Sequence, residues 1–406
     1  MKEAKNSLWV RLTWAFNPLT LKDAYKARVK NFWLHWFPPR IMKCSVSWSY
    51  SFWLGTISGV LFFITLVTGI ILMFIYIPSV ERAYWTIEDL EFVVSFGWVF
   101  RYSHRWAGHL MVVAVFLHMM RVFYTGAYKE TAQTESYRYV NWIVGVILLL
   151  GTLFLAFTGY LLPWDQLAMW AVTVASAIGK TTPVVGEGAY SLLVGGTLID
   201  QPALIRFYTL HCIALPVLAI TLVAYHLWRV RKDGGLACVA NLTQENREEL
   251  TVPAVPIASR RFFLVALVTW IVVLIATLLF RAPLLEPADT SWTPNPAKAP
   301  WYFLWLQELI TFTTIRLGDY TINGGFVGGV FIPGVLFLAL AVWPFIDKSP
   351  GVATSKWFHS SRLWQNIIFT IICLSVIFLI AFSYYCRGPY WEVYLPWNRP
   401  EIPGRF

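Results

Sequence analysis

The chain has 406 residues, of which 57% are apolar and 13% charged, about half the roughly 25% charged share of an ordinary soluble domain. With 22 Trp and 17% aromatic residues, it reads as an integral membrane protein with interfacial aromatic belts. The net charge of +10 is then a matter of topology, and with no basic–aromatic platform for single strands, nucleic acid is excluded as a partner.

Residues 1–50 form a basic, amphipathic preface. Its segment "LKDAYKARVKNFWLHWFPPR" suits a helix lying on the inner membrane surface, ended at Pro38-Pro39. The preface is too polar for a secretory apolar region and offers no small-residue cleavage site. Seven apolar stretches follow, at roughly 53–77, 106–124, 142–162, 208–228, 262–280, 326–346 and 366–386. Each is about 19 residues or longer, enough to span as a helix, and helices satisfy their own backbone in lipid. With the N-terminus inside, segments 1–49, 121–141, 229–261 and 347–365 carry 21 Lys+Arg against 11 outside. That excess predicts a cytoplasmic N-terminus.

The fold expected is all-α and membrane-integral: a four-helix bundle from spans one to four, then a three-helix module. The polar stretch "RKDGGLACVANLTQENREELTVPAVP" marks the junction. The predicted domains are therefore the surface segment 1–50, the bundle 51–235 and the second module 236–406. Two long outer loops, 163–207 and 281–325, hold Trp, Pro and apolar residues and are expected to be packed structure.

The second span carries His104, His109 and His118, and the fourth carries His211 and His226. An ionisable residue within a span points to function by default. His104 and His118, 14 residues apart, fall about 40° short of four full turns and so share a face, separated by about 21 Å of rise. His109 lies about 140° away from that face and is assigned to packing or a hydrogen bond. His211 and His226 repeat the design at a spacing of 15 residues, on a helix of the same direction. Each of two depths thus offers two facing imidazoles, the axial set of a low-spin b-type haem. The blander reading, isolated polar residues bonding to backbone, does not explain two matched pairs.

Gly55 and Gly69 in the first span, and Gly145 and Gly159 in the third, are also 14 apart. They are expected to make room for a haem plate at both depths. Small-residue helix packing explains glycine but not the matched interval. Arg101 and Arg105 at the outer depth and Arg121 at the inner one are candidates to bind haem propionates, or are helix-end residues reaching for water. Five cysteines occur, without any C-x-x-C or C-x-x-C-H, so neither a zinc site nor a c-type haem motif is indicated.

The segments "HRWAGHLMVVAVFLHMMRVFYTGAYK", "GVILLLGTLFLAFTGYLLPWDQ", "RFYTLHCIALPVLAITLVAYH" and "NPAKAPWYFL" resemble cytochrome b of quinol:cytochrome c reductases from about residue 30 onward. The helix-four spacing, "PWDQ" and the seven-helix count resemble the b6 form, whose four-helix and three-helix parts are separate chains; here they are fused. The resemblance implies two non-covalent b haems, on His104 with His211 and on His118 with His226. It implies quinol oxidation at an outer site, with one electron passing to a Rieske iron–sulfur protein. The other crosses by way of the two haems to quinone at an inner site, contributing to proton-motive force. A c-type cytochrome partner, a dimeric complex and a multi-pass place in a bacterial-type, energy-transducing inner membrane are implied as well.

By the same resemblance Pro163, Trp164, Trp301 and Tyr302 wall the outer site, and Arg231, Lys232 and Asp233 lie near the inner one. Two departures stand out. The usual Pro-Glu-Trp-Tyr motif reads Ala299-Pro300-Trp301-Tyr302, so the glutamate that would take a quinol proton is missing. Trp53 stands where the b6 form has the cysteine that holds an extra haem, so no covalent haem is expected. Glu308, seven residues after Trp301 and about 20° from the same helical face, is the candidate substitute as catalytic proton acceptor, alongside Trp301 and Tyr302. The alternative for Glu308 is an ion pair with an arginine such as Arg316. The alternative for the whole chain is a dihaem membrane anchor passing electrons linearly between quinone and another redox partner.

Overall fold

The computed structural model describes residues 20, 22–23, 39–129, 137–233, 235–236, 247–350 and 355–398. Most of the preface expected over 1–50, and much of the junction, lie outside these residues. The described part is helical. Seven helices are long and apolar enough to cross a membrane: α1 Leu54–Met73, α3 Gly97–Tyr124, α4 Arg138–Leu161, α7 Gln201–Lys232, α8 Ala254–Leu279, α10 Gly324–Ile346 and α11 Ser360–Cys386. The shorter α2 Ala83–Phe92 precedes α3.

The helices begin earlier than hydrophobicity alone suggests. α3 starts at Gly97, well before the apolar stretch at 106, and the Arg101 charge of "RYSHR" finds partners inside the protein instead of ending the helix. α7 widens into a π-helical turn at Leu210–Ala214, around His211. The cause is Pro216, whose ring would clash with the preceding turn and which has no N–H to give. α10 shows the same device, a π turn at Val327–Phe331 ahead of Pro333.

α1 packs along α3, and α4 along α7, with α3 against α4 closing the four-helix bundle. The second module leans on it. α8 packs against α1 and α3, and α10 against α4. The Phe369 ring of α11 stacks on Phe123 of α3 at 3.8 Å between centroids. The apolar packing of Val60, Leu61, Ile64, Ala107, Met111 and Val273 runs through α1, α3 and α8 without interruption. A two-stranded antiparallel ribbon ties the lead-in of α1 to that of α8: β1 (Arg40–Met42) pairs with β2 (Thr251–Pro253), Ile41 opposite Val252.

Both outer loops are packed structure, as expected. The first holds α5 (Gln166–Lys180) and α6 (Gly186–Val194). The second holds α9 (Leu304–Thr313) and an exposed hairpin, β3 (Ile315–Leu317) with β4 (Tyr320–Ile322). The "PWDQ" sequence clips the two loops together. Asp165 caps α5 by accepting from Ala168 N at 2.9 Å and takes Leu285 N at 3.2 Å. Gln166 gives its amide to the Asp289 and Trp292 carbonyls. Burial pushes the Asp165 carboxyl above its ordinary value, against the pull of those backbone N–H groups and of Arg105 and Arg101.

Candidate functional site: two imidazole pairs and an outer cavity

The four histidines meet as two pairs between α3 and α7. His104 faces His211 with ring centroids 6.1 Å apart and planes at 78°; His118 faces His226 at 6.4 Å and 78°. A metal ion sits about 2.0–2.1 Å from an imidazole nitrogen; two such bonds in line, plus the half-width of each ring, place the centroids roughly 6 Å apart. Both pairs are therefore spaced for one ion between two rings. The His104 pair, beside the long loops, is called the outer level here.

Hydrogen bonding sets the outer tautomers. His211 Nδ1 lies 3.1 Å from the Leu155 carbonyl and 3.3 Å from Thr158 Oγ1. A carbonyl only accepts, so Nδ1 carries the proton and the Nε2 lone pair is left for a ligand. His104 Nδ1 is 3.0 Å from Thr68 Oγ1, whose own proton goes to the Ile64 carbonyl at 2.7 Å. Thr68 must then accept from His104 as well. Such outer bonds orient a metal-binding imidazole and raise its basicity. At the inner level, His226 Nδ1 is buried with no hydrogen bond of good geometry among the described residues.

Each glycine belongs to one histidine. A Cβ on Gly69 would come within 3.0 Å of His104 Cε1, on Gly55 within 3.1 Å of His118 Cε1, and on Gly159 within 2.5 Å of His211 Cε1. On Gly145 it would stand 3.7 Å from His226 Cε1, an ordinary contact. The nearest neighbour of each glycine is an imidazole edge, so these positions seat the ligand rings as well as leaving the space expected for a plate. Sequence reasoning passed over Thr68 and Thr158. The signal was present as a Thr-Gly pair in both α1 and α4, at the outer level only.

A cavity of about 240 Å³ opens at the outer level, lined by His104, His211, Gly69 and Gly159 and extending to Arg105, His109, Tyr160, Pro163 and Tyr302. The residues present fit a flat metal macrocycle with acidic side arms. The rings are correctly spaced, glycines open the walls, and, among the described residues, two of the three candidate arginines keep an unpaired buried nitrogen, Arg105 Nε and Arg121 Nη2. Arg121 also stacks over the Tyr50 ring at 4.4 Å. Arg101 is different. It pairs with Glu91 and donates to the Ala282 and Pro283 carbonyls at 2.8 and 3.0 Å, so its guanidinium is committed to the loop and not to a propionate.

Three further expectations are corrected. Glu308 is fully buried, but both carboxylate oxygens are held by Arg387: Nη2 to Oε1 at 2.6 Å, Nε to Oε1 at 3.0 Å and to Oε2 at 3.2 Å. Both oxygens are thus engaged by one guanidinium, Glu308 is not among the residues lining the outer cavity, and its partner is not Arg316, which lies on the exposed hairpin. Arg231 and Lys232 are exposed at the end of α7, whereas Asp233 is buried and paired with Arg229 at 2.7 Å. Trp164 belongs to the apolar core and not to the cavity wall. Tyr302 does line the cavity, its phenol pushed up to about 12 by burial, against the pull of Arg105. Trp301 gives its indole N–H to His109 Nδ1 at 2.9 Å. Cys44, the cysteine nearest to Trp53 in sequence, is disulfide-bonded.

The family model described as cytochrome b/b6/petB matches residues 41–234, the stretch that carries both imidazole pairs. Cytochrome b6 of Acaryochloris marina is 40% identical over 181 residues, 45% of this chain and 81% of that protein. Cytochrome b6 of Heliomicrobium gestii is 40% identical over 183 residues, 45% of this chain and 83% of that one. The chain belongs to the cytochrome b/b6 family. Its fold extends past the part shared with the b6 relatives. A chain of a "Hyperthermophilic respiratory Complex III" superposes with a TM-score of 0.72 over 92% of this chain and 91% of its own length, at 24% identity. This cytochrome b/b6 chain thus carries the four-helix part and the three-helix part in one polypeptide.

Proposed function

We propose that the chain is the cytochrome b subunit of a quinol:cytochrome c oxidoreductase. It oxidises quinol on the outer side, transfers electrons across the membrane and reduces quinone on the inner side, contributing to proton-motive force. The observation that carries the proposal is the pair of cross-helix imidazole contacts at two depths, 6.1 and 6.4 Å between centroids. His104 with His211 and His118 with His226 are the ligand sets. Bound between each pair, a b-type haem supplies a one-electron iron centre. Thr68, Thr158 and the Leu155 carbonyl hold the outer rings in the binding tautomer. Arg105 and Arg121 are the groups for acidic side arms. Tyr302 and Pro163 close the outer cavity and keep water from the quinol head group; Trp301 stands behind His109.

The remaining parts rest on family membership: a Rieske iron–sulfur protein and a c-type cytochrome as partners, a dimeric complex and an energy-transducing inner membrane; a cytoplasmic N-terminus rests on the Lys+Arg excess of the inside segments. The inner quinone site is proposed near the end of α7, where Arg229 and Asp233 replace Arg231 as the buried charges. Separate four-helix, three-helix and surface domains are proposed with the boundaries given above. One observation favours the second reading, a linear dihaem anchor. Pro300 replaces the motif glutamate and Arg387 occupies Glu308, which leaves the outer site without an evident carboxylate base.

His118→Leu tests the ligand assignment. One b-type haem should disappear from the redox difference spectrum and the other remain; unchanged haem content would reject it. Co-purification of a Rieske protein separates the bifurcating reading from the linear one.

A further inference from the structure

His109 is the remaining histidine of α3 and belongs to neither pair. Its environment is the reverse of that of His211. Its Nδ1 faces the Trp301 indole N–H at 2.9 Å, and an indole nitrogen only donates. The lone pair must therefore sit on Nδ1, and the neutral ring carries its proton on Nε2. Two roles are closed to His109 by this. Nε2–H cannot bind a metal, and the single lone pair is already engaged, so the ring is not a free base. What remains is one N–H donor. Among the described residues no acceptor is found for it, and the ring lines the outer cavity beside Tyr160, Pro163 and Tyr302.

Trp301 fixes more than the tautomer. Its indole lies nearly parallel to the imidazole, with centroids 6.4 Å apart and planes at 26°, and Tyr302 meets the same imidazole edge-on at 5.6 Å. A ring bonded at Nδ1 and braced by two aromatics has little freedom to turn. A fixed donor at the wall of a mainly apolar cavity selects a ligand with an acceptor oxygen on an apolar frame.

We propose that His109 donates its Nε2–H to a carbonyl oxygen of quinone bound at the Tyr160, Pro163 and Tyr302 end of the outer cavity, beyond the space between His104 and His211 that the macrocycle would fill, with Trp301 holding the imidazole in the donating tautomer. His109 is thus a binding and positioning residue of the outer site. This rests on the quinol-oxidising reading and deepens it. The motif segment with Pro300 in place of glutamate supplies Trp301, which turns a histidine of α3 into a neutral donor. The site then grips the oxidised head group by donation and not by a carboxylate.

The test uses the purified complex and short-chain ubiquinone and naphthoquinone analogues, ¹³C-labelled at the carbonyls. In the wild type, binding should lower the carbonyl stretching frequency of one C=O group, and ¹⁵N-histidine labelling should show an Nε2-protonated imidazole band moving with it. His109→Leu should abolish the carbonyl shift and weaken quinone binding at least tenfold, with the haem spectra unchanged. His109→Gln, which keeps an N–H donor, should restore most of both. Unchanged affinity and carbonyl frequency in His109→Leu would overturn the proposal. So would a wild-type imidazole band that does not move, a result available even where the leucine variant fails to assemble. A wild-type complex that binds no quinone analogue would instead defeat the quinol-oxidising reading itself.

Discussion

The glycines separate two accounts of the same residue. If Gly159 exists to seat His211, Gly159→Ala places a methyl 2.5 Å from the ring and must displace it. One b haem should then be lost from the reduced-minus-oxidised spectrum. Gly145→Ala, with 3.7 Å to His226, should keep both. Loss of the inner haem in Gly145→Ala would instead show that the glycine clears the plate itself. Glu308 offers a second single-residue test. Removing one partner of a buried ion pair costs about 3–5 kcal/mol because the other charge is left unpaired. Glu308→Ala should therefore lower the thermal stability of the complex, and Arg387→Ala should add little on top of it, in a double-mutant cycle. Fully additive losses would mean that the pair does not act as a unit. In the sequence, Glu308 stands out as a carboxylate seven residues after Trp301 on the same helical face. The charge that claims it is 79 residues further on, a distance that no local pattern encodes.

Among the elements, the join between the bundle and the second module is polar where it might have been only greasy. Asp347, just after α10, receives Tyr128 Oη at 2.7 Å and Arg362 Nε at 3.2 Å, and Lys129 lies 3.4 Å away. Arg362 also donates to the Phe123 carbonyl of α3 at 2.8 Å. Burial alone would raise the Asp347 pKa. The Ser349 and Tyr128 hydrogen bonds and the Lys129 charge outweigh it and hold the carboxyl well below its ordinary value. A depressed carboxyl contributes stability that is complete above its unfolded pKa, about 3.9 for Asp, and is lost as pH falls through the folded one. Thermal unfolding of the purified protein should therefore weaken below about pH 4, and Asp347→Asn should be less stable at neutral pH but flatter across that range. An identical acid profile in the variant would remove Asp347 from the account. Helix number and order were legible because span length and apolarity are local properties. The π turn at His211 and the early start of α3 were not. The first depends on Pro216 acting on the preceding turn, and the second on partners for Arg101 that come from Ala282 and Pro283.

At the scale of the whole molecule, four histidines could be set at two depths from spacing because α3 and α7 run in the same direction; the one-residue difference between their intervals, 14 against 15, coincides with the π turn around His211. His109 resisted that arithmetic, since its partner Trp301 comes from a loop 192 residues away. The threonines beside Gly69 and Gly159 give the two levels unequal chemistry. Outer imidazoles that donate from Nδ1 are the more electron-rich ligands, and such ligands favour the oxidised state of an iron centre. The inner pair has no matching threonines. The outer centre should therefore have the lower midpoint potential, and Thr68→Val with Thr158→Val should raise it while leaving the inner one in place. Redox titration would refute this if both potentials stayed where they were. With the potentials divided as expected, two hydroxyl groups, each next to a glycine, act as a voltage divider, grading the path so that an electron entering from the side of the loops runs downhill to the other face.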